Sequence, residues 1–533
     1  MDAGSEDQSS RVARYAGWAL GISLFILFMA NPFGMPDKAA AVAAVSALMA
    51  CFWITLCLPI PVTSLLPVAL FPILGIMSSR ETVKFYADDT IYLFMGGFII
   101  ALALEKWGFQ KRAALHIARL AGTSPSRLVL GFFAATAAIS MFISNTATAM
   151  MMFPIALAVA RQSAATTGKD DANFAIGLML AVAYGASIGG IGTPIGTPPN
   201  IVFLGQFKEA FPDAPRITFF DWGKAFIPLA IIFVVIAWLV VVKLVAPPLR
   251  GVAAGREAIM AELRLLGPMR PPERRVALIF GAAALLWIFR QPINLGAVTI
   301  PGWSAICGEP EFLSDATVAI ALAVALFVVP AGLIGSNQDN PVSQGSEDVE
   351  SQMSIRRRVF LMDWQTAARL PWGILLLFGG GFAIAGGFKE SGLDVLLGEA
   401  VKPLLQVHPL VVVALVCLLL TFMTELASNT ATTAAMLPVM IGTARGLGLN
   451  PLLLMIPATI AASFGFMLPV GTPPNAIVFS SGYVPMRKMV RAGLILDLIS
   501  VIMVTVWIYF VVLPMWGQPL IAPAWAIDVA TPH

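Results

Sequence analysis

Long apolar runs alternate with short polar connections along most of this chain. Runs at 17–30, 41–58, 225–247, 276–289, 316–334 and 492–514 are examples, and several reach the roughly 20 residues that a helix needs to cross a bilayer. Two further apolar stretches, 128–160 and 408–441, are interrupted near their middles by the same polar tripeptide: Ser144-Asn145-Thr146 and Ser428-Asn429-Thr430. The surroundings repeat in register. At one constant offset, Phe94, Gly96, Gly97, Phe98, Ala101 and Gly108 recur as Phe378, Gly380, Gly381, Phe382, Ala385 and Gly392, and Pro154 recurs as Pro438. Downstream of each tripeptide lies a Gly-Thr-Pro-Pro-Asn run, Gly196 to Asn200 and Gly471 to Asn475. Paired prolines remove two amide donors and clash with the preceding turn, so each run predicts a broken helix.

The charges of the connections orient these elements, because Lys and Arg concentrate in cytoplasmic loops. Arg11 and Arg14 precede the first run. Segment 105–127 carries Lys106, Lys111, Arg112, Arg119 and Arg127, and segment 250–275 carries Arg250, Arg256, Arg264, Arg270, Arg274 and Arg275. Segments 335–370 and 486–491 are basic as well, whereas 78–89, 206–222, 291–315 and 389–407 lack the excess. Placing the basic segments inside predicts about eleven crossings, with a cytoplasmic N-terminus and an extracytoplasmic C-terminus. The stretches 128–160 and 408–441 do not fit as crossings. Both read as re-entrant hairpins, the first opening from the cytoplasm and the second from outside, which makes the repeat inverted. Irregular backbone at membrane depth is tolerable only inside protein or beside a wet cavity, and carriers built from inverted repeats bind their cargo at such breaks.

Composition agrees. Hydrophobic residues make up 58% and charged residues 12% of the chain, against about a quarter charged in a soluble domain. The expected fold is an all-α polytopic membrane protein. The formal net charge of +3 gives no reason to expect nucleic acid as a partner. Cys51, Cys57, Cys307 and Cys417 show no metal-ligand clustering, and His116, His408 and His533 are too scattered for a metal site. An intramembrane enzyme would need a nucleophile with a base, or a metal cluster, and the spans contain neither. A passive channel gives no reason for two ion-competent hairpins, and a receptor would need an appended signalling domain.

The tips themselves are neutral. Ser, Thr and Asn supply oxygens and an amide donor, and a helix interrupted at glycine exposes carbonyls otherwise bonded within it. Such oxygens suit a hard cation, whereas free helix N-termini suit an anionic oxygen. Ser140 and Thr424 each lie four residues before the motif serine, which predicts a shared helix face. Gly196 and Gly471 permit the backbone to turn a carbonyl inward. Glu425 stands where the first half has Met141. A carboxylate in a membrane segment is a functional candidate by default; a cap or brace for the outer hairpin is the expected role, with proton coupling as the alternative, and Asp497 is a similar case.

These motifs together resemble the divalent anion–sodium symporters, which include sodium–dicarboxylate and sodium–citrate carriers, over about residues 40–515. By that resemblance one Na⁺ site uses Ser140, Ser144, Asn145 and Gly196, and the other uses Thr424, Ser428, Asn429 and Gly471. The anion would touch Asn145, Thr146 and Thr197 on one side, and Asn429, Thr430, Thr472 and Pro473 on the other. The resemblance also implies a homodimer with a fixed scaffold and a transport domain that moves as an elevator. The chain then divides into a cytoplasmic tail (1–14), a first half (15–245) with the inner hairpin, a cytoplasmic connection (246–275), scaffold helices (276–334), a cytoplasmic linker (335–370), a second half (371–515) with the outer hairpin, and an outer tail (516–533). The expected activity is Na⁺-driven symport of a C4-dicarboxylate such as succinate, malate or fumarate, in a bacterial inner membrane. Exchange of dicarboxylates without Na⁺, or carriage of citrate or sulfate, are the alternatives.

Overall fold

The computed structural model describes residues 5–120, 122, 124–167, 171–247, 255–294, 299–334 and 357–527. Arg250, the linker segment 335–356 and the end of the outer tail with His533 lie outside the described residues. Among those described, regular structure is overwhelmingly helical. The strands form two short antiparallel pairs, Ile293–Asn294 with Thr299–Ile300 and Pro330–Ile334 with Arg357–Phe360. Six helical stretches among the described residues are long and apolar enough to span a membrane: Asp37–Thr55, Ser79–Lys106, Ala172–Gly190, Phe219–Val245, Trp372–Ser391 and Met486–Met515. Shorter apolar helices include Arg14–Met29, Ile60–Ile73, Asp315–Val328 and both first arms of the predicted hairpins.

The chain forms two compact units. The larger comprises Met1–Ile91, Ala114–Ala261 and Pro371–His533, and it contains every candidate site residue. Its first hairpin pairs the helices Pro125–Ser140 and Asn145–Thr167; its second pairs Pro409–Thr424 and Asn429–Gly446. The two begin alike. Ser124 caps the first by accepting from the Arg127 amide at 3.4 Å, His408 caps the second by accepting from the Leu410 amide at 3.2 Å, and each is followed by proline. Proline at a first helical position costs no hydrogen bond there and presets φ.

Each hairpin packs on the first arm of an interrupted helix from its own half, Ala172–Gly190 or Leu452–Ala461. Ala172–Gly190 is started by Asp171, which accepts from the Phe174 amide at 3.1 Å, and from Phe174 onward every residue of it is buried. It approaches Pro125–Ser140 so closely that a Cβ at Gly189 would lie 2.2 Å from the Ala137 carbonyl oxygen. Only glycine fits there. The second arms cross over: Pro198–Ala210 packs against Asn429–Gly446, and Pro473–Phe479 packs against Asn145–Thr167. The halves are thereby interleaved rather than side by side.

The smaller unit comprises Tyr92–Ala113 and Glu262–Leu370. Its core joins Pro271–Ile288 to Asp315–Val328, with Arg290 Nε 2.6 Å from Asp315 Oδ1, both buried, and Trp287 Nε1 donating to the Asp315 carbonyl. Arg112 holds Glu273 at 2.5 Å, and Lys106 holds Asp363 at 2.5 Å. Burial opposes the charge on Asp363, yet Lys106 and the Thr366 amide and hydroxyl together hold its carboxyl below the usual carboxylate range.

Candidate functional site

At the first tip the helix stops at Ser140 and a new one starts at Asn145. Ser140 and Ser144 therefore do not share a face of one continuous helix, contrary to the spacing argument. The fully buried Ser140 Oγ instead lies 2.8 Å from Asn145 Oδ1 and 2.8 Å from the Ala186 carbonyl oxygen. The second tip repeats this. Thr424 ends its helix, and its Oγ1 lies 2.7 Å from Asn429 Oδ1 and 2.8 Å from the Ala462 carbonyl oxygen. A hydroxyl carries one proton, so in each tip it can be donated to only one of the two oxygens.

The interrupted helices supply more oxygens. Between Gly190 and Pro198 the chain is unwound, and the N-cap Thr197 is extended at φ −142°, ψ 142°. Thr472 adopts nearly the same conformation, φ −142°, ψ 145°, ahead of Pro473. Gly196 sits against three carbonyls: a Cβ built on it would lie 2.5 Å from Gly190 O, 2.9 Å from Met141 O and 3.0 Å from Ser140 O. Asn145 Oδ1 in turn approaches Gly190. Ser140, Asn145, Met141, Gly190 and Gly196 thus enclose a cluster of neutral oxygens, the donor set that a hard cation prefers. At Gly471 the nearest groups differ: Glu425 Oε2 would lie 2.8 Å and Leu468 O 3.3 Å from an added Cβ.

The same breaks expose helix N-termini. Thr197, Ser428 and Thr472 make no side-chain cap bond, and Thr472 Oγ1 is buried with no hydrogen-bond partner. Thr146 and Thr430 lie in the first turns of the second hairpin arms, Thr146 half-buried and Thr430 buried. Ser144 and Ser428 are half-buried beside them, whereas Pro473 is exposed. Amides at the starts of the second hairpin arms favour an anionic oxygen, whereas Pro198-Pro199 and Pro473-Pro474 carry no amide hydrogen at the starts that follow the breaks. No Lys or Arg belongs to this constellation. A cavity of about 420 Å³ opens elsewhere in the unit, lined by Glu81, Lys84, Asp88, Asp89 and Lys208, with Lys208 already paired to both aspartates at 2.7 and 2.5 Å.

Several contributors are invisible to motif reasoning. Thr193 Oγ1 donates to the Met141 carbonyl. Asn200 and Asn475, read from sequence only as the ends of their runs, are fully buried and bond into the unwound segments. Glu425 accepts from the amides of Met467 at 2.7 Å and Leu468 at 2.9 Å, so it braces the interrupted helix rather than its own hairpin. The Asp497 carboxyl is buried as well.

Apolar helices of spanning length, together with two interrupted helices beside polar hairpin tips, are the architecture of an integral membrane transport protein. The model of the sodium:sulfate symporter transmembrane region matches residues 12–522, and the chain belongs to that family. It is 37% identical over 527 residues to the sodium-dependent dicarboxylate transporter SdcS of Staphylococcus saprophyticus, covering 97% of this chain and 95% of the relative. Against the transporter of that name from Staphylococcus aureus it is 39% identical over 517 residues, covering 95% and 93%. Two solved structures share the fold at 15% identity. One is Neisseria gonorrhoeae MtrF, an efflux pump (TM-score 0.53, 85% of this chain and 87% of that one); the other is the Alcanivorax borkumensis YdaH transporter (TM-score 0.52, 84% and 89%).

Proposed function

We propose that this protein is a sodium-coupled symporter of C4-dicarboxylates such as succinate, malate or fumarate, working in a bacterial plasma membrane with its N-terminus inside and its C-terminus outside. The observation that carries the reading is the pair of oxygen clusters, Ser140–Asn145 beside Gly196 and Thr424–Asn429 beside Gly471. The names of the two staphylococcal relatives support both the ion and the class of anion.

One Na⁺ is held by Ser140, Ser144, Asn145 and Gly196, and a second by Thr424, Ser428, Asn429 and Gly471. The anion bridges Asn145, Thr146 and Thr197 to Asn429, Thr430 and Thr472, with Pro473 at the edge. The order follows from electrostatics. A dianion entering a site without Lys or Arg faces a severe desolvation cost. Na⁺ binds first, orders both tips and compensates that charge, so the fully loaded site crosses the membrane and the half-loaded one does not. The hairpins enter from opposite faces as an inverted repeat of about eleven crossings. They move with the interrupted helices as an elevator against the remaining scaffold helices, in a homodimer.

Radiolabelled succinate uptake into proteoliposomes tests this, with an inward Na⁺ gradient or choline in its place, and with the lumen empty or preloaded with succinate. Na⁺-dependent accumulation in empty vesicles is the expected result. Uptake that ignores Na⁺ and requires internal succinate would make the protein an exchanger.

A further inference from the structure

The two asparagines that close the Gly-Thr-Pro-Pro-Asn runs repeat one geometry. Asn200 Nδ2 donates to the carbonyls of Gly190 at 3.1 Å and Thr193 at 2.8 Å, ten and seven residues back. Asn475 Nδ2 donates to the carbonyls of Gly465 at 2.9 Å and Leu468 at 3.0 Å, at the same two separations. Both side chains are fully buried, and in both the Oδ1 has no hydrogen-bond partner. That pattern fixes the amide's orientation, since a flipped amide would set its oxygen against two carbonyls. Each asparagine spends both amide hydrogens on the unwound segment and leaves its own acceptor unused, an arrangement that stability alone does not favour.

One carbonyl of each pair lies beside a glycine, and Leu468 O also accepts from the Gly471 amide at 3.2 Å. Gly190 O is the nearest atom to the Cβ position of Gly196, and Leu468 O is among the nearest to that of Gly471. A carbonyl freed from its helical bond can point many ways. An amide clamp across the break selects one.

From this we infer that Asn200 and Asn475 are positioning residues for cation binding: they touch neither ion nor anion, Asn200 holds Gly190 O toward the first oxygen cluster, and Asn475 fixes the Gly465 and Leu468 carbonyls that shape the break beside the second. The inference rests on the proposed cation sites and deepens them. Outer-sphere groups that orient ligands typically change metal affinity by roughly 10- to 100-fold when removed, and the same range is expected here for the Na⁺ concentration giving half-maximal effect.

The test uses Asn200→Leu and Asn475→Leu, which delete the donors at similar volume, in the purified full-length protein. Two readouts are taken: Na⁺-dependent thermal stabilisation in detergent, with choline as control, and succinate uptake at varied Na⁺. The expected result is at least a tenfold rise in half-maximal Na⁺ by both readouts, while succinate half-saturation recovers once Na⁺ is saturating. A merely structural role would lower the melting temperature at every Na⁺ concentration and leave the half-maximal Na⁺ unmoved, and that outcome overturns the inference. If one variant is not monodisperse, the other half's variant carries the test. Wild-type protein that shows no Na⁺-dependent stabilisation would overturn the cation sites themselves, a failure distinct from an unmoved midpoint in the variants.

Discussion

Replacing Gly196 with alanine would put a methyl group into the first oxygen cluster. Its carbon would stand 2.5 Å from the Gly190 carbonyl oxygen, 2.9 Å from that of Met141 and 3.0 Å from that of Ser140, against roughly 3.3–3.6 Å for even a close C–H···O contact. All three oxygens belong to the main chain, so none can swing aside without moving the tip or the break. Overpacking of this kind costs about 1–3 kcal/mol, and if the oxygens retreat from the ion the loss appears as roughly 5- to 150-fold weaker Na⁺ dependence. Gly471→Ala is the internal control. There the one contact under 3.0 Å is with a side-chain carboxylate oxygen of Glu425, and the nearest carbonyl is at 3.3 Å, so the expected loss is below about fivefold, the lower end of the same range. Succinate uptake against external Na⁺ in proteoliposomes, with Na⁺-dependent melting as a second measure, gives both midpoints. Wild-type Na⁺ dependence in Gly196→Ala, or a larger shift in Gly471→Ala, would refute the argument that main-chain oxygens beside Gly196 bind the ion.

Asn145→Ala and Asn429→Ala should each abolish succinate uptake while leaving monodisperse protein; normal transport by both would remove the proposed site. Thr424→Val keeps the shape but deletes the hydroxyl between Asn429 and Ala462, and should lower stability by about 0.5–1.5 kcal/mol, read as a reduced melting temperature even in choline. Glu425→Ala should destabilise more than Glu425→Gln, because alanine leaves the half-buried Met467 and Leu468 amides without acceptors at up to about 1–3 kcal/mol each; equal melting of the two variants would deny the brace. In the smaller unit, Arg290→Ala strips the buried Asp315 of its cation and should cost about 3–5 kcal/mol, detectable as loss of folded protein at a temperature the parent withstands.

The distribution of apolar runs and the Ser-Asn-Thr and Gly-Thr-Pro-Pro motifs were enough to locate both interruptions, because proline and glycine act on the backbone wherever they stand. The helix pairs around each tip start within three residues of the expectation and run five to seven residues further: 128–160 against Pro125–Ser140 with Asn145–Thr167, and 408–441 against Pro409–Thr424 with Asn429–Gly446. What periodicity could not supply was the wiring. Spacing by four residues pairs Ser140 with Ser144 only if the helix runs on, and it ends at Ser140. Nor could the partner of Glu425 be read from its own hairpin, since the amides it accepts belong to the break in an interrupted helix, 42 and 43 residues away. Asn200 and Asn475 were in plain view, but their targets, ten and seven residues back, align only once the intervening turns have unwound.

The wiring also explains how two halves so alike can differ in the residue before the tip's turn. In the first half the carbonyl of Met141 is tied by the Thr193 hydroxyl, a neutral contact across the break. In the second half Glu425 occupies that position and reaches the break with its side chain, accepting two amides that an unwound helix would otherwise leave unpaired. Both solutions stitch a hairpin tip to an interrupted helix, and both keep the glycine between them bare. They differ in chemistry. The second cluster has a side-chain carboxyl within contact of Gly471, whereas the nearest groups to Gly196 are main-chain carbonyls. A cation entering the second cluster would meet a carboxyl group and one entering the first only dipoles, so the two proposed ion sites are not equivalent. The Na⁺ dependence of uptake should accordingly be described by two unequal affinities. Gly196→Ala should weaken one of them and leave the other in place.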